Sequence, residues 1–284
     1  MNNFLVRDQE IIQHLATGVF PVFIDGKWSF RAKLNQFASI HLEELGKAAL
    51  MDRLETKYIF HRDQILNFLP ELENDYQILE IEGQRICGYK TVYYDTADFH
   101  FFQQHQKGAG ERWKVRQRTY LDSQVNFLEV KYKDNRKRTR KNRIEVEFNP
   151  DHILDNEKAF LSANAPFSQE ELDPKLEISY TRTTLVKNDG TERVTLDSKL
   201  FFSTWKNSLE MAGLMIAEIK QAAYKPTSPF MTRIKMEGVR PSPFSKYCIG
   251  VSLLYPEIKH NRFKPILHHV SNLLGGDETN GRTQ

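Results

Sequence analysis

Lysines, arginines and glutamates recur two residues apart along this chain. Glu55 and Lys57, Arg116 and Arg118, Glu129, Lys131 and Lys133, Lys141 and Arg143, and Glu218 and Lys220 form such sets. Side chains of an extended strand alternate between faces, so each set would share one face. A guanidinium offers a planar fork of donors that suits phosphate oxygens, and it stays charged at any working pH. A carboxylate can pair with a neighbouring lysine or hold a hard divalent cation through oxygen. Together these types point to binding of a phosphate chain, with Glu218 as candidate ligand for Mn²⁺ or Mg²⁺. For any one set, a solvated strand face accounts for the pattern as well. Recurrence on at least five strands favours an inward, phosphate-binding face.

Other chemistries find little support. No Walker A sequence, GxGxxG fingerprint, GxSxG elbow or HExxH is present. His105 has no second His or Cys at ligand spacing and reads as structural. The basic run at 135–143 reads mostly as solvated, with Lys141 and Arg143 in phase to enter a strand. No RRM, KH or zinc-finger pattern accompanies it, and nucleic acid is not an expected partner.

The elements that would position these residues are mainly strands. Alternation predicts strands over 53–60, 91–94, 112–120, 126–133, 141–148, 176–187, 192–196 and 214–221. A hairpin is expected at 22–30 and a short helix over 41–51. Asp63 is the expected N-cap of a helix reaching residue 74. Further helices are expected around Phe99–Phe102, after Pro150, at the Ser168/Glu171 capping box, over 243–254 and over 268–274. The fold class is therefore α+β: about eight antiparallel strands, enough to close a barrel, with helices packed outside. Residues 1–38 read as an N-terminal extension, 39–274 as the tunnel domain, and 275–284 as a disordered tail.

Composition agrees with a globular protein. The 284 residues are 40% hydrophobic and 12% aromatic, and the formal charge is only +3. The basic character is thus local. Two cysteines give no disulfide framework, which suits the cytoplasm. The N-terminus lacks a signal-peptide core, and the longest apolar stretch is too short to span a bilayer. Attachment to a membrane would need a membrane-protein partner. Oligomeric state is not legible in the sequence.

Several segments, in order, resemble one family. They are RLETKYIF (53–60), YYDTADFHFF (93–102), ERWKVRQRTY (111–120), FLEVKYK (127–133), KNRIEVEF (141–148), ISYTRTTL (178–185), ERVTLD (192–197), AEIK (217–220) and FSKYCIG (244–250). Together they resemble the VTC domain, the polyphosphate polymerase domain of the vacuolar transporter chaperone complex. The resemblance implies a triphosphate tunnel metalloenzyme of CYTH-like fold. It implies phosphate contacts by Lys57, Arg116, Arg118, Lys131, Lys141, Arg143, Arg182, Arg193 and Lys246, with Lys133 and Lys220 as further phosphate-binding lysines. It implies Glu218 as metal ligand and Glu55 and Glu129 as supporting carboxylates. ATP would be the donor, and polyphosphate or pyrophosphate would be bound. Hydrolytic tunnel enzymes commonly begin Glu-x-Glu-x-Lys. Here Arg53 takes the first place, which favours polymerisation over the alternatives, a triphosphatase or a non-catalytic polyphosphate or inositol-phosphate binder.

Overall fold

The computed structural model describes residues 30–45, 54–136, 138–149, 153–167 and 172–275. The hairpin expected at 22–30, all but a turn of the helix expected at 41–51, the Ser168/Glu171 capping box, the tail beyond Gly275, and Arg53 lie outside these residues. Among the described residues, eleven strands make one sheet. In chain order they are β1 (Ser39–Ile40), β2 (Leu54–His61), β3 (Tyr76–Leu79), β4 (Cys87–Asp95), β5 (Arg112–Tyr120) and β6 (Val125–Lys133). Then follow β7 (Thr139–Glu145), β8 (Asp173–Lys187), β9 (Glu192–Ser203), β10 (Ser208–Met211) and β11 (Leu214–Gln221).

The main path runs β2-β11-β9-β8-β4-β5-β6-β7, and every pair along it is antiparallel. Eight strands on one path match the sequence expectation. Hydrogen bonding does not join β2 to β7 among the described residues, so the barrel is an open, curled sheet. The curl shows in its charges. Lys131 of β6 senses Glu55 and Lys57 of β2 and Glu218 of β11, which lie at the other end of the path.

Alternation sets the two faces. From β2, β9 and β11, Tyr58, Phe60, Val194, Leu196, Met215 and Ile219 point to the convex side and pack in one apolar cluster. Helices α2 (Arg62–Phe68) and α5 (Pro229–Met236) cover it, as does α1 (Phe30–Leu34). Val115, Leu128 and Val130 form a second outer cluster under α4 (Asp155–Asn164). The intervening residues, including the charged sets, face the concave side.

One helix departs from the expected arrangement. Helix α6 (Lys246–Leu254) packs on the concave face, not outside. Its Tyr247 stacks on Tyr93 with centroids 5.1 Å apart, and its Cys248 and Val251 share a cluster with Ile59, Ile178 and Ile216. These strand residues are in phase with Lys57, Arg182 and Glu218. The concave face is therefore charged along one stretch and apolar along the next, and α6 seals the apolar stretch. Gly250 permits this approach: a Cβ there would sit 2.5 Å from Leu176 Cδ2 and 2.7 Å from Phe202 Cδ1. Helices α3 (His100–Lys107) and α7 (Lys264–Leu273) flank α6 through Phe102, Ile266 and Val270.

Caps fix the helix starts. Asp95, fully buried at the end of β4, accepts the Phe101 and Phe102 N–H groups at 2.8 and 2.9 Å and the Tyr247 hydroxyl. It thereby ties α3 and α6 to the sheet. Helix α2 is capped by His61, two residues before the expected Asp63. Helix α6 begins after Ser245, whose Oγ accepts the Cys248 N–H, and not at Ser242-Pro243. That shift places Lys246 in the first turn of α6, next to the charged stretch.

Candidate active site

Strand register assembles the site. Glu218 stands opposite Lys57, and Lys220 lies between Glu55 and Arg193. Arg182 stands opposite Asp197. Tyr93 and Thr91 of β4 face Arg116 and Arg118 of β5. Arg116 then faces Glu129, which faces Arg143, while Lys131 lies between Lys114 and Lys141. Lys133 pairs with Arg112 at the end of the ladder. Directly opposed residues of antiparallel strands share a face. Every strand residue singled out in the sequence therefore falls on the concave face, and Lys246 joins it from α6. Arg143, stacked on Phe127 at 4.4 Å, and Lys141 sit at its exposed rim on edge strand β7.

Three carboxylates organise the cations, each held between two of them. Glu218 receives Lys220 at 2.6 Å and Lys57 at 3.3 Å, and Lys57 also reaches Glu55 at 3.0 Å. Glu129 receives the Arg116 Nε and Nη2 at 2.6 Å, and Lys141 contacts its other oxygen. Asp197 takes both forks of Arg182, at 2.6 and 2.8 Å, and also contacts Lys246. Buried charges persist only when paired in this way. The Glu129 and Asp197 clusters, two cations on one carboxylate, each keep a net positive charge, while Lys57 and Lys220 are balanced by Glu218 and Glu55.

The titration behaviour follows. Burial pushes the carboxylates up, but the adjoining cations outweigh it, so Glu129 and Asp197 are lowered to about 2 and Glu218 well below its ordinary range. Burial draws Lys57 down, yet Glu218 and Glu55 hold it above its usual value. Lys131 is lowered, first by burial, and among the described residues it makes no hydrogen bond or ion pair. Such a lysine is a ready partner for an incoming anion.

Several members of this face lie outside the charged sets read from the sequence. Lys114, two residues before Arg116, donates to Ser245 Oγ at 3.0 Å, and burial lowers it to about 8. Its phase with Arg116 and Arg118 was the available signal. Tyr93 accepts from Arg116 Nη1 at 3.1 Å; burial raises its pKa, but Arg116, Lys114 and Arg118 bring it down to about 8. Tyr180 and Tyr89 lie under Arg182, and Tyr180 also lies under Lys246 at 4.4 Å. Asp197 sits in phase with Arg193. His105 is half-buried, and burial followed by the charges of Lys114 and Arg112 holds it neutral, lowered to about 2.

A divalent ion can be tested against the donor set. Among the described residues no three His, Cys, Asp or Glu side chains gather at one point. Glu218 is one carboxylate with Glu55 beyond Lys57. Mg²⁺ is commonly held by one or two carboxylates, the rest of its shell being water and substrate phosphate. The residues fit an ion that shares its shell with a phosphate ligand.

The VTC domain model matches residues 52–255, most of the chain. The chain belongs to the VTC domain family. No curated protein matches its sequence. Solved structures to which the chain is similar include a candidate adenylate cyclase from Vibrio parahaemolyticus, at 13% identity, covering 69% of this chain and 95% of that one with a TM-score of 0.40. A protein from Pyrococcus horikoshii OT3 is similar at 13% identity, covering 72% and 99%, TM-score 0.42. A candidate adenylyl cyclase from Hippeastrum, described as having a dominant triphosphatase activity, is similar at 12% identity, covering 70% and 95%, TM-score 0.43. In this VTC domain, no helix among the described residues is long and apolar enough to cross a membrane.

Proposed function

We propose that the chain is a polyphosphate polymerase that moves the γ-phosphoryl of ATP onto a phosphate or polyphosphate acceptor. The observation that carries this reading is the pairing of six cations with three carboxylates on one concave face: Lys57 and Lys220, Arg116 and Lys141, Arg182 and Lys246. Phosphoryl transfer asks mainly for alignment of two polyanions and neutralisation of charge. Arg116, Arg118 and Arg182 would meet phosphate oxygens with the guanidinium N–H groups that Glu129, Thr91 and Asp197 leave over. Lys131, Lys114 and Lys220 would supply charge deeper in, and Arg193, Lys133 and Arg143 would guide the chain at either side. A terminal phosphate is already nucleophilic, so no general base is needed. Mn²⁺ or Mg²⁺ bound through Glu218 would add electrophilic assistance. Family membership and the absence of a second chemical motif support the reading.

The test is incubation with ATP and Mn²⁺, with products resolved on a gel. A polyphosphate ladder supports polymerisation. Orthophosphate alone would make the protein a triphosphatase. Saturable polyphosphate binding without turnover would make it a binder.

A further inference from the structure

Asp197 is the carboxylate in the site for which the sequence suggested no role. It projects from β9 directly opposite Arg182 on β8, and it is 2% exposed. Both of its oxygens are engaged, one with Arg182 Nε and the other with Arg182 Nη2 and Lys246. Arg182 lies over the rings of Tyr180 and Tyr89, and Lys246 lies over Tyr180. Lys246 belongs to the first turn of α6, so this carboxylate joins three elements at one point: β8, β9 and the helix that seals the concave face. With its oxygens taken, it is poorly placed to ligate a metal.

Without Asp197, a guanidinium and an ammonium would face each other across a buried gap and repel. With it, both are locked in place, yet its negative charge opposes any polyanion that approaches. We propose that Asp197 is a positioning residue for phosphoryl transfer, fixing Arg182 and Lys246 in transfer geometry while weakening ground-state binding of the phosphate chain. This rests on the polymerase reading of the same face. It separates from a merely structural role because affinity and turnover move in opposite directions.

The experiment compares the full chain with Asp197→Asn and Asp197→Glu. Tripolyphosphate binding is measured calorimetrically at two salt concentrations, and polymerisation is followed with ATP and Mn²⁺. Asp197→Asn should bind tripolyphosphate several-fold more tightly, with a steeper salt dependence, while kcat falls at least tenfold. Asp197→Glu keeps the charge and moves it by one methylene; its affinity should stay near wild type while kcat still falls. Unchanged kcat in either variant would overturn the proposal. So would an Asn variant whose binding weakens in parallel with its thermal stability. If the wild-type protein forms no ladder, the polymerase reading fails, and the binding arm decides alone through a cycle with Lys246→Met. Coupling of the two substitutions in tripolyphosphate affinity then supports Asp197 acting through Lys246, and strict additivity overturns it.

Discussion

Glu129 lies directly across the β5–β6 ladder from Arg116, and one of its oxygens receives both the Nε and the Nη2 of that guanidinium. The carboxylate is 1% exposed, and Lys141 from the next strand contacts its other oxygen. The pair is therefore both a fold element and part of the charged concave face.

Removing either partner has unequal consequences. Arg116→Ala leaves a buried carboxylate with only the rim residue Lys141, and should cost about 3 kcal/mol of stability. It should also weaken tripolyphosphate binding. Glu129→Gln removes the charge but keeps the shape, so the loss of stability should be smaller and binding should tighten. Urea unfolding with a parallel tripolyphosphate titration checks both, and equal effects on binding would contradict the arrangement.

Glu218 is held by Lys57 and Lys220, so its loss frees Lys220 and leaves Lys57 with Glu55 alone. Glu218→Gln should retain or strengthen metal-free tripolyphosphate binding. Metal-dependent turnover should nevertheless drop roughly 100-fold, the scale of losing a group that stabilises transition-state charge. Calorimetry without metal, set beside product gels with Mn²⁺, separates the two effects. Full activity in the variant would remove Glu218 from the metal role.

Much of this site was legible because strand periodicity is strict. Once Arg116, Glu129 and Lys131 are in strands, a period of two places them on one face, and register only decides who meets whom. Asp197 was not legible, because its role depends on a helix 49 residues further on meeting a strand. The same non-local packing hid the place of α6: an apolar helix fits either face of a sheet, and only the apolar residues Ile59, Ile178 and Ile216 on the charged side say which. Strand β3 was too short to show alternation. Helix α5 carries a Ser228-Pro229 start signal, but too short an apolar pattern follows it to predict a helix. Barrel closure was beyond reach of any one strand, since it depends on shear accumulated along the whole path.

The packing of α6 can be probed at an apolar contact one turn beyond Lys246. Gly250→Ala places a methyl against Leu176 and Phe202, both fully buried. Overpacking of this kind costs about 1–3 kcal/mol. If α6 must shift to accept it, Lys246 shifts too, and kcat should fall beyond what the lost stability explains. A lowered unfolding midpoint with unchanged kcat would show that α6 seals the face without tuning it.

Lys114 and Tyr93 set the expected pH dependence. Both lie at about 8 in the free protein, below their ordinary values, and Lys141 on the rim is lowered to about 8 as well. Between pH 8 and 10 the unfolded chain binds more protons at these groups than the folded one. Their contribution to stability must therefore rise with pH over that window. Ligand binding takes the opposite sign. A phosphate chain beside Lys114 favours its charged form, so binding takes up a proton, and affinity falls as pH rises through 8. For a single group the fall is about tenfold per pH unit until the pKa of the complex is reached. Calorimetry in buffers of different ionisation enthalpy reads the proton uptake directly. Lys114→Arg, which stays charged, should flatten the affinity profile; an unchanged profile would assign the dependence to Tyr93 or Lys141 instead.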